Sequence, residues 1–127
     1  MIITLLIYHF FKIKFIGGVP VLVLDESRHS NSMTRLINDS ELKELPCILP
    51  GWQVQDGKIK RIWHFNDFSE AFAFMVRVAM AAEQLGHHPD WSNSWNKVSI
   101  ELVCHDLGGI SDLDVNLAKQ INQFALE

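Results

Sequence analysis

Cysteine is scarce in this 127-residue chain, which has Cys47 and Cys104 and no others. Two thiols are too few for a disulfide framework, and these two lack the spacing of a metal-binding pair. A reducing cytoplasm is therefore the expected setting. Positive charge is also short: 11 Lys and Arg stand against 15 Asp and Glu, for a net charge of −4. That balance argues against nucleic acid as a direct ligand and leaves at most an indirect role beside a DNA-binding partner. Internal repeats, low-complexity tracts, a phosphate-cradling glycine motif and the spacings CxxC, HxH, HxxxH and HExxH are all missing. Their absence removes the usual sequence signatures of nucleotide and zinc sites.

A long apolar run is missing too. Met1 to Leu24 is strongly apolar, but Lys12 and Lys14 interrupt it and Gly17-Gly18-Val19-Pro20 breaks it again. No stretch reaches the roughly 18 to 20 residues of a membrane-spanning helix, so a membrane partner is not expected. A signal peptide carries its positive charge ahead of the apolar run, and here the lysines follow it. Glu26 to Ser32 is polar and reads as a linker. The expectation is one domain over residues 34–127, with residues 1–33 as an N-terminal extension or leader outside it. A membrane-associating or targeting leader is the competing account of that segment. Without residues 1–33 the chain loses three basic and two acidic groups, and its net charge becomes −5.

What remains is 48% hydrophobic and 20% charged over the whole chain, enough to bury a core. Asn38-Asp39-Ser40 followed by Glu41 opens a short helix with Leu42 and Leu45 on its apolar side, ended by Pro46 or Pro50. Gly51 to Val54 reads as a small strand, Asp56-Gly57 as a hairpin turn, and Ile59 to Phe65 as a half-buried strand with Ile59, Trp63 and Phe65 on one face. Asp67-Phe68-Ser69-Glu70 has capping-box form. The helix it opens is predicted over Phe68 to Leu85, with Phe68, Ala71, Phe72, Met75, Val78, Ala79 and Ala82 on its buried stripe and Gly86 as its stop. Trp91 to Trp95 reads as a strand, Asn96-Lys97 as a tight turn, and Val98, Ile100, Leu102 and Cys104 as the apolar face of the next strand. Ser111 to Asp114 opens a last helix lined by Leu113, Leu117, Ile121 and Phe124. The order α-β-β-α-β-β-α implies an α+β fold, a four-stranded antiparallel sheet with three helices packed on one face. The other face of a small, Trp-rich sheet is then expected to meet a partner subunit.

The chemistry concentrates in Glu83-Gln84-Leu85-Gly86-His87-His88-Pro89-Asp90-Trp91, answered by His105-Asp106. Three imidazoles in one small domain supply acid-base capacity near neutral pH. Glu83 lies one helical turn before His87 and is placed to orient a histidine or stand solvated. Asp106 is placed to pair with His105 or to cap a turn. Asp114 follows Ser111 by three residues, where capping accounts for it. His64 alternates with the core face of its strand and reads as a surface residue. A metal site is the rival reading, disfavoured because adjacent side chains such as His87 and His88 diverge. Cys104 lies on the apolar parity of its strand, where a thiol is usually inert as a nucleophile.

Glu83-x3-His87-His88-Pro89, then Trp95, His105 and Asp114, with Phe65-x-Asp67-Phe68 and Trp95-Asn96-Lys97-Val98, resemble the pterin-4a-carbinolamine dehydratase family. The resemblance runs from about Leu36 to Phe124 and implies the same four-stranded sheet with three helices. It implies dehydration of 4a-hydroxytetrahydropterin to quinonoid dihydropterin, in pterin recycling after aromatic amino acid hydroxylation, with no metal or other cofactor. By match to the motif, His87 and His105 would be the acid-base pair and His88 would chiefly position the pterin. Glu83, Pro89, Trp91, Cys104 and Asp106 would line or support the substrate site. The family also implies homodimers or homotetramers. An aromatic amino acid hydroxylase or a transcription factor is a further possible partner, and a non-catalytic scaffold of the same fold is the alternative function. Gly86, in place of an acidic residue, and Val103-Cys104, in place of a Ser-Thr pair, depart from the family pattern and bear on substrate affinity.

Overall fold

Two successive left-handed residues, Gly17 at φ 60° and Gly18 at φ 82°, turn the first strand back on itself. The computed structural model describes residues 11–24 and 33–125. It divides the chain into two compact units, Met1–Met33 and Thr34–Glu127. In the first, β1 (Phe11–Ile16) pairs antiparallel with β2 (Val19–Leu24), from Phe11 opposite Leu24 to Ile16 opposite Val19. The sequence marks Gly17-Gly18 only as a break. Paired glycines between β-forming runs are in fact a favoured two-residue hairpin turn.

In the second unit, α1 (Asp39–Ile48) begins where the Asn38 side chain accepts from the backbone N–H groups of Ser40 and Glu41, and Glu41 answers to the N–H of Asn38. Pro46 lies inside this helix rather than ending it. It sits in the last turn, where it forfeits one bond, the one its N–H would make to the Leu42 carbonyl, while Leu49 N–H still reaches the Leu45 carbonyl at 2.8 Å. Next, β3 (Gln53–Gln55) and β4 (Lys58–His64) are joined by Asp56 and Gly57, both at positive φ, the signature of a type I′ hairpin.

The long helix α2 (Phe68–Leu85) has the predicted ends. Asp67 caps it by accepting from Glu70 N–H, while the Glu70 carboxylate reaches back to the N–H of Asn66 rather than that of Asp67. Its buried face is turned relative to the predicted stripe. Ala71, Phe74, Val78, Ala81 and Ala82 are buried, whereas Phe68, Phe72, Val76 and Met80 form an exposed row at four-residue spacing. Both rows have helical periodicity, so spacing alone could not say which one faces the sheet.

The strands β5 (Asp90–Ser94) and β6 (Lys97–Leu102) are joined by Trp95 and Asn96, one residue earlier than the predicted Asn96-Lys97 turn. Trp95 takes φ 50°. Asn93 Nδ2 donates to the carbonyls of Trp95 and Lys97 at 3.0 Å each, and Asn96 Nδ2 donates to the Phe65 carbonyl at 2.7 Å. These bonds hold a turn that a tryptophan at positive φ would otherwise disfavour. The last helix, α3 (Asp112–Phe124), starts from a capping box between Ser111 and Asp114.

The sheet order is β3-β4-β6-β5, antiparallel throughout, and this second unit is α+β with three helices among the described residues. Ile59, Trp63, Val98, Ile100 and Leu102 meet Leu45, Leu49, Phe74, Val78, Leu117 and Ile121 in one core. Trp52 and Trp63 lie inside it, ring centroids 5.4 Å apart. The open face displays charge: Lys60 sits opposite Glu101, and Glu101 opposite Asp90.

Candidate active site

The site begins with the end of α2. Gly86 takes the left-handed conformation (φ 61°), and its N–H closes on the carbonyls of Ala82 and Glu83. This cap turns the chain so that consecutive histidines diverge. His87 points inward: it is 9% exposed, and its Nε2 lies 2.6 Å from Oδ1 of Asp114 on α3. Asp114 is fully buried, and its Oδ2 accepts from the Ser111 N–H at 2.7 Å and the Ser111 hydroxyl at 2.9 Å. One carboxylate thus caps α3 with one oxygen and holds an imidazole with the other. The capping reading of Asp114 was correct but covered half of its contacts.

His88 points to solvent, its Nε2 2.9 Å from Oε2 of Glu83 one turn back on α2. Pro89 then leads into β5, whose first residue is Asp90. His105 follows β6 in the turn between Cys104 and Gly109, a turn closed by Cys104 N–H to the Gly109 carbonyl and Gly108 N–H to the Cys104 carbonyl, each 2.9 Å. His105 is exposed, and its Nε2 lies 3.2 Å from Oδ2 of Asp90 in an ion-pair contact. The carboxylate it meets is thus Asp90 and not its sequence neighbour Asp106. Asp106 is exposed in the same turn, and Cys104 is buried. Trp91, 37% exposed, borders the site on β5.

Because β5 and β6 are antiparallel neighbours, the start of one and the end of the other meet. That brings His88, Pro89 and Asp90 to the same end of the sheet as His105. His87 leaves the same loop but is buried against α3. On the open face, Lys58 Nζ lies 3.7 Å from Asp90 and 3.2 Å from Glu101, and Lys60 Nζ lies 2.7 Å from Glu101. Hydrogen bonds from Lys60 and Lys58 hold the Glu101 carboxyl below its ordinary range, and the Glu101 bond raises Lys58. A shallow hollow of about 210 Å³ is lined by Asp90, Trp91, Ser92, Ser99 and Glu101. A second, of about 190 Å³, lies beside it along Gln55, Asp56, Lys58, Lys60 and Glu101. None of the three histidines lines either hollow, and His105 meets the first through Asp90.

Chemically, each of the three imidazoles has a carboxylate at one ring nitrogen. At the exposed rings of His88 and His105 the second nitrogen is the one left to give or take a proton, whereas the His87 ring is buried. Among the described residues, no group of three or more His, Cys, Asp or Glu side chains is arranged to hold a metal ion. Among the same residues, no helix is long and apolar enough to cross a membrane.

Residues 35–124 match the family described as pterin 4 alpha carbinolamine dehydratase. The chain belongs to this family. Family members are hydro-lyases, removing water from a pterin carbinolamine. A relative assigned as a pterin-4-alpha-carbinolamine dehydratase in Synechococcus sp. (strain WH7803) is 60% identical over 90 residues, covering 71% of this chain and 97% of its own length. One of the same assignment in Prochlorococcus marinus (strain MIT 9312) is 49% identical over 88 residues, covering 69% of this chain and 92% of the relative. Among solved structures, a transcriptional coactivator/pterin dehydratase from Brucella melitensis superposes with a TM-score of 0.69 at 40% identity, covering 72% of this chain and 99% of that one. The dehydratase fold accordingly accounts for the sheet and its three helices, which lie within the matched span.

Proposed function

We propose that this protein dehydrates 4a-hydroxytetrahydropterin to quinonoid dihydropterin by histidine acid-base catalysis, recycling the pterin used in aromatic amino acid hydroxylation. The observation that carries the reading is the pairing of His87, His88 and His105 each with its own carboxylate, in a chain of the dehydratase family. The substrate's ring nitrogen pushes its electron pair toward C4a, and the C4a–O bond breaks with its electrons going to oxygen. That oxygen takes a proton and leaves as water, and a base takes the proton released by the ring. The donor and acceptor in this account are His105 and His87, each aligned by its carboxylate, and His88 positions the pterin. Glu83 steadies His88, while Pro89, Trp91, Cys104 and Asp106 shape the surroundings. Groups of this kind contribute roughly 10²- to 10⁴-fold each to such proton transfers. The reaction needs no metal or redox cofactor. Residues 1–33 lie outside this catalytic domain, and the cytoplasm is the compartment that suits the two free cysteines.

The test is the decay of 4a-hydroxytetrahydropterin in the presence of purified protein. His88→Ala and His105→Ala should each lose the acceleration while keeping a native unfolding transition. Full activity in both variants overturns the site assignment.

A scaffold role is the second reading, favoured by one specific observation. The exposed row Phe68, Phe72, Val76 and Met80 on α2 is an apolar surface, with the Phe68 and Phe72 rings 5.8 Å apart. A second copy of the chain is its expected occupant, giving the homodimer or homotetramer. A transcription-factor or hydroxylase partner would compete for the same row. Light scattering on the wild type and on Phe72→Asp decides: an oligomer dispersed by the substitution supports self-association through this row.

A further inference from the structure

We propose that Asp90 is a positioning residue that aims the ring of His105 at the substrate, an inference that rests on the dehydratase reading above. His105 lies in a turn, not in a strand, and its side chain is 71% exposed. An imidazole so open to solvent is held by few neighbours, so one anchor largely decides where the ring points. Asp90 is that anchor, with Oδ2 at 3.2 Å from Nε2. The anchor is itself fixed: Asp90 is the first residue of β5, in register with Glu101 on β6, and its Oδ2 also lies 3.7 Å from Lys58 Nζ. Lys58 in turn bonds Glu101, which bonds Lys60. A chain of alternating charges thus crosses three strands of the open face and ends on the imidazole.

The same carboxylate forms part of the wall of the hollow bounded by Trp91, Ser92, Ser99 and Glu101. With its Nε2 edge held by Asp90, His105 presents Nδ1 as the nitrogen that exchanges a proton. Asp90 acts on the reaction only through this ring. It does not itself meet the reacting atoms.

The decisive variants are Asp90→Asn and Asp90→Glu, followed by steady-state kinetics and by ¹⁵N spectra of the His105 ring. Asp90→Asn is expected to lower kcat by about fivefold, the bias an exposed ion pair can impose, with KM within about twofold. Asp90→Glu should restore most of the loss. The His105 ring signals should move in the Asn variant toward the averaged pattern of a freely exchanging imidazole, and back in the Glu variant. Unchanged kcat and unchanged ring signals in Asp90→Asn, against an active wild type, overturn this proposal and leave the dehydratase reading intact. A wild type without dehydratase activity overturns both.

Discussion

The two sides of the sheet treat charge in opposite ways. Under the helices stands a fully buried carboxylate, Asp114, with three donors converging on it from Ser111 and His87. On the open side, Lys58, Lys60, Asp90, Glu101 and His105 share partners over longer distances, from 2.7 to 3.7 Å, and remain substantially wet. Water screens the open chain and is excluded from the buried cluster, so equal-looking contacts differ in worth by several-fold. The covered side should set stability and fix the ring of His87, and the open side should set the direction of His105.

The sharpest way to break this division is to cut the covered side first. Phe74 is fully buried, with its ring 5.1 Å from Trp63 and 5.0 Å from Phe65. Phe74→Ala should cost about 3 to 5 kcal/mol of unfolding free energy. Phe72→Ala, on the exposed row of the same helix, should stay within about 0.5 kcal/mol in the dissociated protein. Urea titration of the two variants tests which row of α2 faces the sheet, and equal losses would refute the rotated stripe. Next comes Asp114→Asn. It keeps the volume but cannot accept from all three donors, so a loss of about 3 kcal/mol is expected, together with loss of dehydratase activity as the His87 ring is released. A variant as stable as wild type would mean that the buried cluster is not the anchor it resembles.

Glu101→Gln probes the other side. It removes the charge that Lys58 and Lys60 share. The unfolding midpoint should fall slightly in dilute buffer, and the difference should vanish near 1 M salt, where the screening length is about 3 Å. The midpoint difference for Asp114→Asn should hardly respond to salt. Matching salt dependences for the two variants would erase the contrast between the faces.

Much of the frame was legible in the sequence because it rests on local chemistry. Asn38, Asp67 and Ser111 announce their helices as caps, Asp56-Gly57 announces its hairpin, and the alternation from Lys97 to Cys104 names the buried face of β6. What stayed hidden depends on contacts distant in sequence. The two apolar rows of α2 are equivalent in spacing, and only packing against β6 and α3 selects Phe74 over Phe72. Asp90 gains its place from the register set by the Trp95-Asn96 turn, which lies one residue earlier than the alternation predicts. Asp114 satisfied a local capping rule, and although the family motif sets it beside His87 in one pattern, no local spacing reveals that the two side chains, 27 positions apart, are in contact.

The smallest expected effect, acid sensitivity at the surface, also has the clearest sign. The Arg35 guanidinium bonds both carboxylate oxygens of Glu41 at 2.6 and 2.8 Å, and the Asn38 N–H adds a third bond. Together they hold the Glu41 carboxyl at about 2, against an ordinary value of 4.5. A folded-state value below the unfolded one means that the unfolded chain takes up the proton first as pH drops. The stability from this group is therefore whole above about pH 4.5 and is lost as pH falls toward 2. Glu101, lowered by its two lysines, acts in the same direction. Glu41→Gln keeps a side chain able to reach the Asn38 N–H but removes the titrating charge. The gap in unfolding midpoint between wild type and Glu41→Gln should be constant from about pH 7 to 5 and should close as pH approaches 2. If the gap widened on acidification, the Arg35–Glu41 pair could not be contributing as its geometry implies. Carboxylates exposed to water would then not be the acid-labile part of this fold.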